Sequence, residues 1–131
     1  MKQILLLLTF TLISVFSFSQ TEISKGTSTK LSFGEKSIYT GRFEFCPFNT
    51  IDKVNILIEN QKIMIDSKVP QVYYITSEAS ELEDFKGACW FAMDKEGTKC
   101  RVYLYMDKNY DVYLGVEYSD YSWIYIVNPV K

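Results

Sequence analysis

The chain contains no histidine. That removes the usual general base at neutral pH, the Ser-His and Cys-His nucleophile pairs and most zinc sites. Cysteine is scarce. Cys46, Cys89 and Cys100 lie far apart, with no Cys-x-x-Cys pair, so they form no metal knuckle. A basic cluster is also missing. Fourteen Lys and Arg stand against 16 Asp and Glu, a net charge of −2. A mildly acidic chain without a basic patch is a poor ligand for nucleic acid or for an anionic membrane surface. Internal repeats, low-complexity tracts and a dividing linker are absent as well.

Carboxylates are present, but not in a catalytic pattern. Glu78, Glu81, Glu83 and Asp84 cluster in a polar stretch that reads as a solvated loop. Asp107-Lys108-Asn109-Tyr110-Asp111 matches the opening of a calcium loop. The match then fails, with Val112 where glycine is required and Tyr118 where the bidentate glutamate is required. No metal and no cofactor are expected. An enzyme built on carboxylates and tyrosines, a hydrolase for instance, is a minor alternative that requires two carboxylates converging in one cleft.

The first long apolar run, Ile4 to Phe16, follows Lys2 and precedes Ser17-Phe18-Ser19. It is shorter than the ~20 residues of a membrane span and has the form of an export signal, residues 1–19, cleaved before Gln20. Loss of Lys2 leaves 13 Lys and Arg against 16 Asp and Glu, or −3. The expectation is an exported chain, periplasmic or extracellular, free of the membrane once cleaved. Residues 20–131 suffice for a single domain. With ten Tyr and six Phe among many Ile and Val, its composition is that of a β-protein.

The stretch from Gly87 to Val127 reads as four strands. Opposite residues of an antiparallel pair share a face, so loop length decides which face each strand presents. Cys100, Val102, Leu104 and Met106 meet Val112, Leu114 and Val116 if the loop holds three residues, Asp107-Lys108-Asn109, with Asn109 left-handed. Gly97 suits the left-handed position of a three-residue loop after Asp94, which places Ala88, Trp90 and Ala92 on the same aliphatic face. A loop of Asp120-Tyr121-Ser122 adds Ile124 and Ile126 to it. In this register Cys89 and Cys100 sit on opposite faces and cannot be bonded. A disulfide from Cys46 to either is left open.

The reverse face then carries Tyr103, Tyr105, Tyr113, Trp123 and Tyr125, with Arg101 and Glu117 beside them. A one-sided sheet alternates apolar with charged residues, and this face does not. It is the candidate binding surface, because aromatic rings with a few polar tips suit protein or glycan partners. The competing explanation is that tyrosine favours strands and that Phe43, Phe45 and Phe48 cover the face.

Upstream, residues 20–30 read as a loose arm or an edge segment and Gly34-Glu35-Lys36 as a turn. Ser37 to Phe45 alternates as a half-buried strand ended by Cys46-Pro47. Val54–Glu59 and Lys62–Asp66 form a hairpin whose Asn60-Gln61 turn puts Val54, Ile56, Ile58, Ile63 and Ile65 on one face. Another strand opens at Val69-Pro70. Ser80-Glu81-Leu82-Glu83 has the form of a capping box, compatible with one helical turn or a plain loop. About eight strands joined by short turns predict an all-β antiparallel meander, closed into a small barrel or split into a two-sheet sandwich. The function that follows is a non-enzymatic binding module using the aromatic face, for a protein (a second copy of the chain included) or a glycan. The alternative is a barrel holding an apolar small molecule inside.

Overall fold

The computed structural model describes residues 23–130. The predicted leader, residues 1–19, lies outside them. Ten strands follow one another and no helix occurs among the described residues: β1 (Ile23–Lys36), β2 (Phe43–Phe45), β3 (Asn49–Glu59), β4 (Lys62–Ile65), β5 (Gln71–Ile75), β6 (Ser80–Glu81), β7 (Lys86–Asp94), β8 (Lys99–Met106), β9 (Val112–Glu117) and β10 (Tyr121–Val130). Every ladder is antiparallel. The order β10-β9-β8-β7-β5-β4-β3-β1 returns to β10, closing an eight-stranded barrel. The two short strands are additions: β2 pairs the second half of β1, and β6 pairs β7. The barrel decides between the two predicted architectures.

Closure depends on β1, the segment whose first residues were expected to be a loose arm or an edge segment. It is a 14-residue strand with β10 on one edge and β3 on the other. Its inward positions include Gly26 and Ser28, both buried, and neither gives a hydrophobic alternation to read. A bulge after Ser28 shifts the parity, so that Leu31 and Phe33 continue the inner face opposite Tyr125 and Trp123. The Ser28 hydroxyl pins the bulge by donating to the Lys30 carbonyl at 3.0 Å and accepting from the Lys30 N–H at 3.3 Å. The predicted turn at Gly34–Lys36 is part of this strand. The predicted strand from Ser37 shrinks to Phe43–Phe45, because Ile38 and Tyr39 lie exposed in a turn. The capping-box segment forms no helical turn; Ser80 and Glu81 pair with Cys89 and Ala88 instead.

The Asn60-Gln61 hairpin forms in the predicted register, with both turn residues at positive φ, 52° and 60°. Gly97 takes the left-handed position with φ 86°, and Trp90 faces Val102. The β8–β9 turn closes one residue later than expected. The Asp107 carboxylate accepts from the N–H groups of Asn109 and Asp111, the loop is Lys108–Tyr110, and Tyr110 rather than Asn109 is left-handed, at φ 68°. Pairing moves by two residues, so the faces are conserved.

Gln61 and Tyr110 carry Cβ atoms in a conformation that suits glycine. Gln61→Gly and Tyr110→Gly are each expected to stabilise by about 1 kcal/mol, or about 4 °C in melting temperature. Thermal melts followed by circular dichroism check this; a fall in both variants contradicts it.

The stagger of the ladders sorts the inward side chains into layers. The middle layer, with Ile56, Ile63, Tyr73, Val102, Leu114 and Tyr125, is buried. Towards the β7–β8 and β9–β10 turns the barrel is closed by rings. Tyr118 and Tyr121 stack with centroids 5.1 Å apart, and Trp123 lies 5.6 and 5.7 Å from them. Burial pushes the Asp94 carboxyl up, but a hydrogen bond from the Tyr118 hydroxyl at 2.7 Å and N–H bonds from its own turn outweigh that and hold it below the usual range. The Trp123 indole N–H is buried without an acceptor among the described residues. At the opposite end, by the Asn60-Gln61 turn, the layer of Ile58, Ile75, Leu104, Val112 and Val127 is only half-buried.

Candidate functional site

Register decides which of the predicted site residues share a surface. Cys89 pairs with Tyr103, which pairs with Gly115 and then Ile124; Gly87 pairs with Tyr105, then Tyr113, then Ile126. These positions point outward. Phe91, Arg101 and Glu117 form the next outward row.

Trp123 and Tyr125 do not belong to this surface. The last turn holds two residues, Ser119-Asp120, closed by the Tyr118 N–H donating to the Tyr121 carbonyl at 2.8 Å. The expected Asp120–Ser122 loop has the wrong parity. Trp123 therefore faces Val116 and Tyr125 faces Leu114 inside the barrel, while Ile124 and Ile126 turn outward. Tyr125 is 2% exposed, and its hydroxyl accepts from the Gln71 side chain at 3.0 Å. Gln71 in turn accepts from the Tyr73 hydroxyl, so the polar tips of both buried rings are satisfied.

The outer wall keeps Arg101, Tyr103, Tyr105, Tyr113 and Glu117, carries Phe91 as the β7 register requires, and gains Phe85, Ile124 and Ile126. Its rings are arranged in a row. Phe85 lies 5.0 Å from Tyr105, Tyr105 stacks 5.2 Å from Tyr113 at 20°, and Phe48 lies 6.2 Å from Tyr113. A polar chain runs beside the row. The Arg101 guanidinium sits 5.3 Å over the Phe91 ring and donates to the Tyr103 hydroxyl at 3.2 Å, which donates to a Glu117 carboxylate oxygen at 3.1 Å. The hydrogen bond to Tyr103 raises the Arg101 pKa, so the guanidinium stays charged. Burial raises the pKa of Tyr103 and of Tyr105. Tyr113 is pushed up to about 12, first by burial and then by its hydrogen bond to the Asp107 carboxylate at 2.9 Å.

The chain covers part of this wall itself. Phe48 packs at the Tyr113 margin, and the Phe45 ring fills the space over Gly34, where a Cβ would come within 2.6 Å. Phe43 packs on Phe45 and lies under Lys36. Tyr103, Tyr105, Tyr113, Ile124 and Ile126 are half-buried, while Phe91 is 57% exposed and Phe85 48%.

The three cysteines are free. Cys89 points outward and Cys100 inward, as the register requires; Cys46 is exposed. Glu78, Glu81, Glu83 and Asp84 are all exposed and form no cleft. Among the described residues no group of His, Cys, Asp or Glu could hold a metal ion. Comparison of the chain with protein-family models, with curated proteins and with solved structures finds no match.

Proposed function

We propose that the protein is an exported, non-enzymatic interaction module that binds a protein partner through the outer wall of β7 to β10. One observation carries this reading. Apart from Lys99, Arg101, Glu117 and Asn128, the outward positions of these four strands are apolar, aromatic or small, although the inner face of the same strands already forms the core. A barrel wall that meets only water has no reason to be apolar, and large exposed apolar patches mark contact surfaces. Lipid is a poorer partner. A membrane barrel needs an apolar band on every strand, and the outward positions of β1, β3 and β4 include Lys25, Lys30, Asn55, Glu59 and Lys62. A sugar is also a poorer partner than a protein, because Tyr105 and Tyr113 turn their faces to each other rather than outward.

Site-directed photocrosslinking tests the reading. A benzophenone side chain at Phe91 or Tyr105 is expected to yield a protein adduct, with a second copy or another exported protein, while the same group at Lys25 yields none. Equal adducts at all three positions, or none, would sink it.

A further inference from the structure

The connections at the two ends of the barrel differ in chemistry. At the end reached by Lys36, Ile65, Asp94 and Glu117, apolar side chains stand clear of the protein: Ile38 is 89% exposed, Tyr39 91% and Val69 73%. Neither loop is slack. The Ser37 N–H donates to the Arg42 carbonyl at 2.8 Å and the Gly41 N–H to the Ser37 carbonyl at 2.9 Å, while the Ser37 hydroxyl accepts from the N–H groups of Tyr39 and Thr40. In the other loop the Ser67 hydroxyl donates to the Val69 carbonyl at 2.7 Å. Hydrogen bonds fix both loops, and the three tip side chains add no packing to the fold. Polar residues would close these turns as well. Ile23 and Val130, the first and last described residues, both lie at the far end of β1 from these tips.

We propose that this end of the barrel docks on an anionic phospholipid bilayer, with Ile38, Tyr39 and Val69 dipping into its interface. Shape selects lipid over protein. The tips are convex and stand on two loops, one after β1 and one between β4 and β5, with β3 between them in the ring. A protein partner needs two pockets at that spacing, whereas a fluid surface yields to both. Residue type and charge agree. Tyrosine and isoleucine suit the headgroup boundary. Cations flank the tips, Lys36 and Arg42 on either side of one and Lys68 beside the other. The four connections at this end carry no net charge, with Arg42, Lys68 and Lys95 against Asp66, Glu96 and Asp120. Those at the opposite end hold six carboxylates, among them Glu78, Glu81, Glu83 and Asp84, against Lys108 alone. An anionic surface therefore repels that end and turns the tips towards itself. The overall charge of −2 hides this division. The outer wall of β7 to β10 then stands upright on the bilayer and stays free for its own partner.

The test adds vesicles of mixed phosphatidylcholine and phosphatidylglycerol to the exported chain from Gln20. In Tyr39→Trp the new indole is expected to shift its emission to the blue and to be quenched by brominated lipid. Tyr110→Trp, at a position 81% exposed on the opposite end, should show neither. Each is read against the parent, whose Trp90 and Trp123 supply the background. Ile38→Ser combined with Tyr39→Ser should weaken vesicle binding at least about tenfold and leave the melting temperature unchanged. Equal quenching at both positions, no quenching at Tyr39→Trp, or a serine variant that binds like the parent overturns the proposal. A protein adduct from a benzophenone at Tyr39, without vesicle binding, assigns the tips to a protein and overturns it too. The crosslink at Phe91 is read independently, so this end and the outer wall are judged separately.

Discussion

Gly87→Val is expected to cost on the order of 3 kcal/mol or more, or to prevent folding altogether. Gly87 sits outward on β7, opposite Tyr105. A Cβ there would meet the Leu104 carbonyl oxygen and come within 2.6 Å of the Tyr105 Cα and 2.7 Å of its Cβ. The first two are backbone atoms of the neighbouring strand, so no rotamer change relieves the clash and the β7–β8 ladder must part. Gly115 supplies the contrast. It lies on the same wall, and a Cβ at that position meets its nearest atoms at 3.7 to 3.8 Å, ordinary contact distance. Gly115→Ala should change stability by less than about 1 kcal/mol. Urea denaturation of both variants measures the difference. A Gly87→Val protein as stable as the parent would mean that the β7–β8 approach is wider than the structure shows. The same glycine serves the proposed contact surface, because its missing side chain lets Tyr105 lie between Phe85 and Tyr113.

Where the sequence could be read, one simple constraint did the reading. Loops of odd or even length place like side chains together or apart, and Gly97 or Asn60-Gln61 then mark the turn chemistry. That sufficed for the inner face of β7, β8 and β9 and for the β3–β4 hairpin. It failed at β10, where Tyr121-Ser122-Trp123-Ile124-Tyr125-Ile126 is apolar or aromatic at both parities, apart from Ser122, and no glycine marks the turn. Placing Ile124 and Ile126 with the aliphatic face points Trp123 and Tyr125 outward. The larger rings instead fill the lumen, and the isoleucines meet Gly115 and Tyr113 outside. It also failed at β1, where small polar residues face inward and a bulge breaks the period. Closure of the barrel therefore rests on the segment with the weakest pattern. Phe85 escaped because it lies outside any strand, in the acidic loop before β7; its ring joins the wall only through the fold of that loop.

Stability is expected to fall steeply above about pH 9, because the barrel keeps protons that the unfolded chain releases. Burial raises the Tyr73 pKa, and the neighbouring Cys100 adds to the shift. Tyr118 is raised first by burial and then by its hydrogen bond to the Asp94 carboxylate, and Tyr125 by burial. Burial pushes the Cys100 thiol up to about 11. Unfolded phenols titrate near ~10 and thiols near ~8.5. Above those values the unfolded chain binds fewer protons than the barrel, so each step up in pH favours unfolding. Below them the contribution is fully present, and it is lost only as pH climbs towards the raised folded values. Urea midpoints should therefore be nearly level from about pH 6 to 8 and drop between pH 9 and 11. The Tyr118→Phe variant separates the cause from general alkaline damage. It removes one of the titrating phenols, so its stability should decline less steeply over that range, while the Asp94 carboxyl loses a donor and its pKa rises. The phenolate signals of Tyr73 and Tyr125, resolved residue by residue through the ring-carbon shifts of labelled tyrosine, should appear together with loss of the near-ultraviolet dichroism. Phenolate at Tyr73 or Tyr125 while the dichroism persists would mean that water reaches these rings in the folded barrel and that the lumen is more open than the packing of its middle layer implies.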